Sequence, residues 1–406
     1  MIRLFINGLA ASAGGGLTYL RNVIPELARR DNVATTVLLN PDLRREFRGS
    51  ENVSFVEVEA PALNTLRRVW FEQAGLAGLL RNAGAQVLIS AGNFALLKSP
   101  VPQILLSRNS LYTSRDFFRD VLGRRDYAIW VDTKVKAVFA RESIRRAQLT
   151  IAPSEAFARE LSTWSGKKVI VLHHGFNAAA FERDTAPLPR EIETQLADGA
   201  NALRLLFVSH YNYYRNFETL FRAMPILQKA LPDQKIKLYL TCRLDSRANP
   251  GTYKAEQASS LVTALRAGRD IVELGTVPYG LLHHLYRACN IYVTPAYAES
   301  FAHPLVEAMS SGLPVVASDL PVHREICGGA AVYFERFSPE ELAERVVEVY
   351  RNQELGAELS RSGAVRAKDF SWETHVTRLL ELATELIGRH ETSQAAPAAE
   401  SAAAQE

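Results

Sequence analysis

Short apolar runs alternate with longer amphipathic stretches from one end of the chain to the other. In the first half the runs are Ile2–Ile6, Ala34–Leu39, Val53–Val58, Gln86–Ser90, Gln103–Leu106, Leu149–Ala152 and Lys168–Leu172. Between the first two, Leu17–Arg30 repeats its apolar positions near helical spacing. Runs this short and this apolar are strands buried on both faces, and strands that alternate with helices predict a parallel sheet covered on each side. Across Glu182–Arg204 the pattern gives way to charge, proline and alanine, and it resumes at Leu205–Ser209, Lys237–Thr241, Ile271–Leu274, Ile291–Thr294, Val315–Ser318 and Ala331–Phe334. The reading is an α/β protein of two doubly wound domains facing one cleft, with ligands at the carboxyl ends of the strands.

The boundaries follow from the same pattern: a first domain over 1–182, a linker over 183–204, a second domain over 205–370 and a final helix over 371–390. Ser371 is placed to cap that helix, which carries Val376, Leu379, Leu380, Ala383 and Leu386 on one face. The last stretch, 391–406, is mostly Ala, Gln, Ser and Glu and predicts a disordered tail.

Length and composition narrow the picture. At 406 residues the chain exceeds the ~100–200 residues of one domain, and a hydrophobic share of 47% against 22% charged excludes a disordered or collagen-like chain. A net charge of only +3 argues against a nucleic-acid partner. Cys242, Cys289 and Cys327 are odd in number and far apart, giving neither a disulfide framework nor a zinc signature, and a cytoplasmic setting is expected. The N-terminal apolar stretch is broken early by Asn7 and Gly8, so it reads as a first strand and loop rather than a signal peptide or membrane span.

The candidate chemistry lies in Asn290–Ser318, which reads as a strand, a loop, a short helix from about Ala302, a glycine stop at Gly312 and another strand. Glu299 falls in the loop at the strand's carboxyl end and Glu307 about a turn into the helix, with Pro304 suited to its first turn. The helix start between the two carboxylates offers free N–H groups and a partial positive charge, a seat for a phosphate. Carboxylates on either side of an anion site make sense when each grips hydroxyl groups. A diphosphate with a sugar at each end, a nucleotide sugar, fits that arrangement.

The Glu-x7-Glu pair Glu299/Glu307, within Glu-Ser-Phe-Ala-His-Pro-Leu-Val-Glu-Ala-Met-x-x-Gly-Leu-Pro-Val-Val, resembles the donor site of retaining GT-B glycosyltransferases of family 4. Phe207–Asn216 resembles that family's phosphate loop and Leu274–Val277 its nucleobase loop; Ile151–Ser154, His174–Gly175 and Phe370–Trp372 match further landmarks. The resemblance implies two Rossmann-like domains, with the last helix crossing back to the N-terminal one. It implies that Glu299 contacts the donor sugar, Glu307 and Val277 the nucleoside, and the backbone of Ser300, Phe301 and Ala302 the distal phosphate. Arg215 stands where the family has a lysine against the diphosphate, a role a guanidinium fills with two parallel hydrogen bonds. His210 stands where the family has arginine, Ser209 and Ala302 replace glycines, and Arg108 and Asn109 occupy the place of a His-Asp pair. Gly15 and Gly16, within Gly14–Gly16, match the glycine loop that faces donor and acceptor. Arg108, Asn109 and His303 are assigned to the sugar or acceptor side.

The activity so implied moves a sugar with retention from a nucleoside diphosphate to a hydroxyl of a glycan or lipid-linked acceptor, in cell-surface polysaccharide or glycoconjugate synthesis. It proceeds by front-face attack without a covalent sugar on Glu299. The chain has no Asp-x-Asp, so neither metal nor cofactor is expected. Ser114–Arg146 mixes basic and aromatic residues and reads as an amphipathic helix pair, with contact at the inner membrane surface as the alternative. The rival functions are an epimerase on the same fold and a non-catalytic nucleotide-sugar-binding or scaffold protein.

Overall fold

The structure, a computed structural model, describes residues 1–11, 15–58, 65–249 and 253–403. Gly14 lies outside the described residues. The chain forms two units, the first made of Met1–Thr113, Lys134–Gly175 and Ser371–Glu406, the second of Ser114–Thr133 and Phe176–Phe370.

The first unit holds seven strands: β1 (Ile2–Asn7), β2 (Val33–Leu39), β3 (Val53–Glu57), β4 (Val87–Ser90), β5 (Gln103–Leu106), β6 (Leu149–Ala152) and β7 (Ile170–Val171). They pair in parallel in the order β3-β2-β1-β4-β5-β6-β7, with Phe5 opposite Leu88 and Thr36. The chain builds outward from β1 in one direction and then the other, so β1 and β4 flank the switch point where such sheets open a crevice. Phe5 and Ile6 are fully buried, as continuous apolar strands in a covered sheet require.

The last helix, Trp372–Ala403, sets Trp372, Val376, Leu379 and Ala383 into the core of this unit beside Tyr19 and Leu20. His375 donates from Nδ1 to the His173 carbonyl at 2.7 Å and its Nε2 accepts from the Tyr19 hydroxyl at 3.2 Å. Gly175 leaves no space for a Cβ against the backbone of Trp372, which accounts for a glycine after His174. The helix continues past Glu391 to Ala403, where composition had predicted a disordered tail. That expectation weighed the lack of core-forming residues and overlooked alanine, the strongest helix former.

The second unit holds β8 (Leu203–Phe207), β9 (Ile236–Leu240), β10 (Ile271–Glu273), β11 (Ile291–Thr294), β12 (Val315–Ser318) and β13 (Ala331–Phe334), parallel in the order β10-β9-β8-β11-β12-β13. Its switch point lies between β8 and β11. The stretch expected to be a linker contains helix Arg190–Asp198, which buries Ile192 and Leu196. Arg204 ties the end of that helix down, donating to the carbonyls of Leu196 and Gly199 and to that of Ala288.

Ser114–Thr133 departs from the expected boundary, because it belongs to the second unit and not to the N-terminal one. Its charges explain why. Arg336 donates twice to Asp116, at 2.7 and 3.0 Å, and the Tyr297 hydroxyl donates to Asp120 at 2.7 Å. Arg124 lies over the ring of Tyr213, 4.3 Å from its centroid, and reaches Asp120 at 2.9 Å and Glu218 at 2.8 Å.

Candidate functional site

Two loops at the carboxyl ends of β8 and β11 carry the central residues. The first, Val208–Asn216, is held by the Ser209 N–H donating to Thr241 Oγ1 at 3.0 Å and by Asn216 in the left-handed region at φ 55°. Asn216 Nδ2 donates to the carbonyl of Pro295 at 3.0 Å and to that of Arg336 at 2.6 Å, and the Tyr297 N–H donates to Tyr214 O at 3.0 Å. Arg215, between Tyr214 and Asn216, is therefore fixed at both flanks to the loop that carries Glu299. The Arg215 guanidinium pairs with the Glu299 carboxylate, and their side chains are only 20% and 9% exposed.

The floor of the Glu299 loop is held from below. Ser318, at the end of β12, donates its hydroxyl to Ala296 O, and buried His323 donates Nδ1–H to Ser318 O at 2.8 Å. Burial pushes the pKa of His323 down to about 4, so this support is uncharged at neutral pH. Neither Ser318 nor His323 stood out in sequence, since each acts on backbone rather than on a ligand.

Beyond Glu299, the chain passes Ser300 and buried Phe301 to Ala302, which adopts φ 66° before helix His303–Ser310 begins. A glycine takes that conformation freely, whereas a Cβ there costs roughly 1 kcal/mol. The resemblance gives a glycine at this position, and the backbone shows why. Ala302→Gly is expected to raise stability by about 1 kcal/mol, some 2–4 °C in melting temperature for a unit of this size. Calorimetry checks it, and an unchanged or lower melting temperature would contradict the strain assignment. The ring of His303 stands edge-on to Phe301, with centroids 4.9 Å apart.

Glu307 lies on the buried side of the same helix, 3% exposed, and its carboxylate accepts from the Tyr286 hydroxyl at 2.9 Å, with the Tyr279 hydroxyl also acting on it. Tyr279 sits two residues beyond buried Val277, so the loop after β10 and helix His303–Ser310 meet at this carboxylate. Burial pushes the Glu307 pKa up to about 7, against the lowering effect of the two hydroxyls. Sequence reasoning missed both tyrosines. The one available signal was Tyr279 directly after Leu274–Val277.

A pH dependence follows. On the resemblance's assignment of Glu307 to the ribose, a sugar hydroxyl donates far better to the carboxylate than to the acid, so nucleotide binding is expected to release protons near neutral pH. Affinity then rises from pH 6 to pH 8, by up to about tenfold per unit below the pKa. Unliganded stability moves the other way: a carboxyl pKa raised on folding contributes fully below about pH 4.5 and loses that contribution as pH rises through about 7. Calorimetric titration of a nucleoside diphosphate into wild type and Glu307→Gln separates this from titration of the ligand. Parallel pH profiles in the two proteins would exclude it.

His210 stands exposed on the first loop, and partial burial with the charge of Arg215 beside it pushes its pKa below the usual histidine value. It presents a neutral hydrogen-bonding ring where an arginine would bring charge.

In the first unit the structure brings Arg108 to Gly15. Arg108 follows β5, and its guanidinium donates to Gly15 O at 3.0 Å and to Ala91 O, with Tyr19 beneath at 5.2 Å. Gly16 packs closely against Ala11, where a Cβ would stand 3.1 Å from the Ala11 Cα. Asn109 turns its oxygen to the Leu111 N–H at 3.0 Å and caps the turn Ser110–Tyr112, so this acceptor atom is committed to structure. Among the described residues no group of three or more His, Cys, Asp or Glu side chains is placed to hold a metal ion. No described helix is long and apolar enough to cross a membrane.

Solved structures share the fold. Sucrose-phosphate synthase from Thermosynechococcus elongatus superposes with a TM-score of 0.74 at 17% identity, covering 96% of this chain and 100% of that one. The Anabaena protein HepE in complex with UDP-glucose superposes at 0.70 with 18% identity, covering 95% and 100%. Two doubly wound parallel units of this kind make the GT-B fold. Residues 13–180 match the model described as Glycosyltransferase Family 4, and residues 190–366 that of Glycosyl transferases group 1. The chain belongs to the GT-B glycosyltransferases of family 4. O-antigen chain mannosyltransferase B of Escherichia coli is 31% identical over 107 residues, covering 26% of this chain and 28% of the relative. D-inositol 3-phosphate glycosyltransferase of Thermobispora bispora is 28% identical over 228 residues, covering 55% and 52%. The match thus spans about half the length of the latter, and less of the former.

Proposed function

We propose that the chain transfers a sugar, with retention at the anomeric carbon, from a nucleoside diphosphate to a hydroxyl of a glycan or lipid-linked acceptor in cell-surface polysaccharide or glycoconjugate synthesis. Arg215 and the amides after Glu299 receive the diphosphate, Glu299 the sugar hydroxyls and Glu307 the ribose. Breaking the glycosidic bond builds positive character on the sugar and negative charge on the leaving phosphate, and a preorganised guanidinium is most effective against that developing charge. The Arg215–Glu299 ion pair carries the reading. A guanidinium and a carboxylate already held at the strand ends give a donor one group for its phosphate and one for its sugar. With this cation at the diphosphate the reaction runs without a metal, in the cytoplasm or at the inner membrane face. The UDP-glucose complex of HepE makes a uridine nucleotide the first donor to test.

The test is a thermal-shift panel of UDP, GDP, ADP, CDP and dTDP on the full chain. A nucleotide at ~100 times its Kd stabilises by about 2.7 kcal/mol, a shift of several degrees. One base is expected to give it and Glu307→Ala to abolish it. No shift with any of the five would reject the donor site.

A further inference from the structure

The first unit contains a buried cation that meets no carboxylate among the described residues. Arg108 stands at the carboxyl end of β5, beside the switch point between β1 and β4. Its Nη atoms donate to two carbonyls, Gly15 O and Ala91 O, and its Nε is shielded from solvent without a partner. Among the described residues no carboxylate pairs with it. The ionisable groups acting on it are the phenol of Tyr19, which burial pushes up, and the ring of His375, which burial pushes down to about 4, both neutral at pH 7. Burial also lowers the Arg108 pKa from 12.5 to about 10, leaving the guanidinium charged at neutral pH.

The other arginines drawn into the fold beside carboxylates show the contrast: Arg124 holds Asp120 and Glu218, and Arg215 holds Glu299. A desolvated charge is costly unless an opposite charge meets it. Arg204 also rests on carbonyls, but all three of its nitrogens are satisfied and together they tie down a helix end. Arg108 stands instead at the carboxyl ends of the strands, where open parallel sheets take their ligands, and Gly16 presents no side chain beside its Nη2.

We propose that Arg108 is the anion receptor of the acceptor site, and that the acceptor carries a phosphate or carboxylate group next to the hydroxyl that is glycosylated. The inference rests on the reading of the chain as a sugar transferase and names the class of its acceptor. The guanidinium grips two acceptor oxygens in parallel, and binding supplies the negative charge this site lacks. A neutral sugar would leave the cation uncompensated.

The experiment titrates glucose 6-phosphate, glucuronate and glucose by calorimetry into the full chain, with and without saturating UDP. Wild type is expected to bind one of the two anionic sugars at least tenfold tighter than glucose, and the tighter of the two identifies the anion. Arg108→Gln is expected to erase that preference and leave UDP affinity within twofold. Arg108→Lys, which keeps the charge where the glutamine variant fails to fold, is expected to retain part of it. Equal binding of all three sugars by wild type overturns the proposal, and so does an unchanged preference in Arg108→Gln. A tenfold loss of UDP affinity in Arg108→Gln also overturns it, because the anion would then be the donor diphosphate. Absence of UDP binding by wild type bears on the donor base alone, since the titrations without UDP still report on Arg108.

Discussion

Arg215→Ala is expected to lower the rate of sugar transfer by about 10²–10³, the loss seen when one preorganised donor to a developing oxyanion is removed. Arg215 sits on a loop fixed through Tyr214 and Asn216, so it is in place before the leaving phosphate gains charge. Removing it also leaves Glu299, 9% exposed, without its cation. Losing that partner also costs stability, so the melting temperature of the variant is measured beside its rate and turnover is compared per folded protein. The measurement is steady-state turnover of the donor found in the nucleotide panel. Arg215→Lys should recover part of the rate, because a point charge keeps the attraction but not the two-pronged grip. Glu299→Gln is the control: it frees Arg215 and should weaken sugar recognition while leaving nucleoside diphosphate affinity nearly unchanged. A rate for Arg215→Ala within fivefold of wild type would remove Arg215 from the chemistry.

Much of this was readable from the chain. The strands announced themselves because parallel strands buried on both faces are apolar without interruption, as in Leu205–Phe207 and Val315–Ala317. Glu299 and Glu307 were legible because a loop and a helix start keep a fixed spacing whatever packs around them. What escaped depends on partners far away in sequence. Tyr286 reaches Glu307 from another helix, and His323 supports Ala296 through Ser318. Ala302 was visible as a departure from the family pattern, yet its left-handed backbone was not, because alanine shows no preference for that conformation.

The misplaced boundary at Ser114–Thr133 has the same origin and leads to the largest expected change in stability. The segment follows β5 in the chain, and hydrophobic periodicity cannot tell which unit an amphipathic helix will join. Its charges decide. Arg124 lies between Asp120 and Glu218, over the ring of Tyr213, and the carboxylates hold its pKa well above the usual arginine value. The Arg124 and Glu218 side chains are 13% and 12% exposed, and Glu218 also accepts from the Tyr211 hydroxyl at 3.0 Å. Breaking such a pair by removing one partner leaves a buried charge, so Arg124→Ala is expected to cost about 3–5 kcal/mol. In a unit of this size that lowers the melting temperature by roughly 6–20 °C. An apolar pair of similar volume removes the orphaned charge. Arg124→Met with Glu218→Leu is therefore expected to be more stable than Arg124→Ala alone, though Asp120 still loses its cation. Denaturant unfolding of the three proteins checks the order. A loss below 1 kcal/mol in Arg124→Ala would mean that the segment is held by its apolar face, chiefly Phe117 and Val121, and that the ion cluster only orients it.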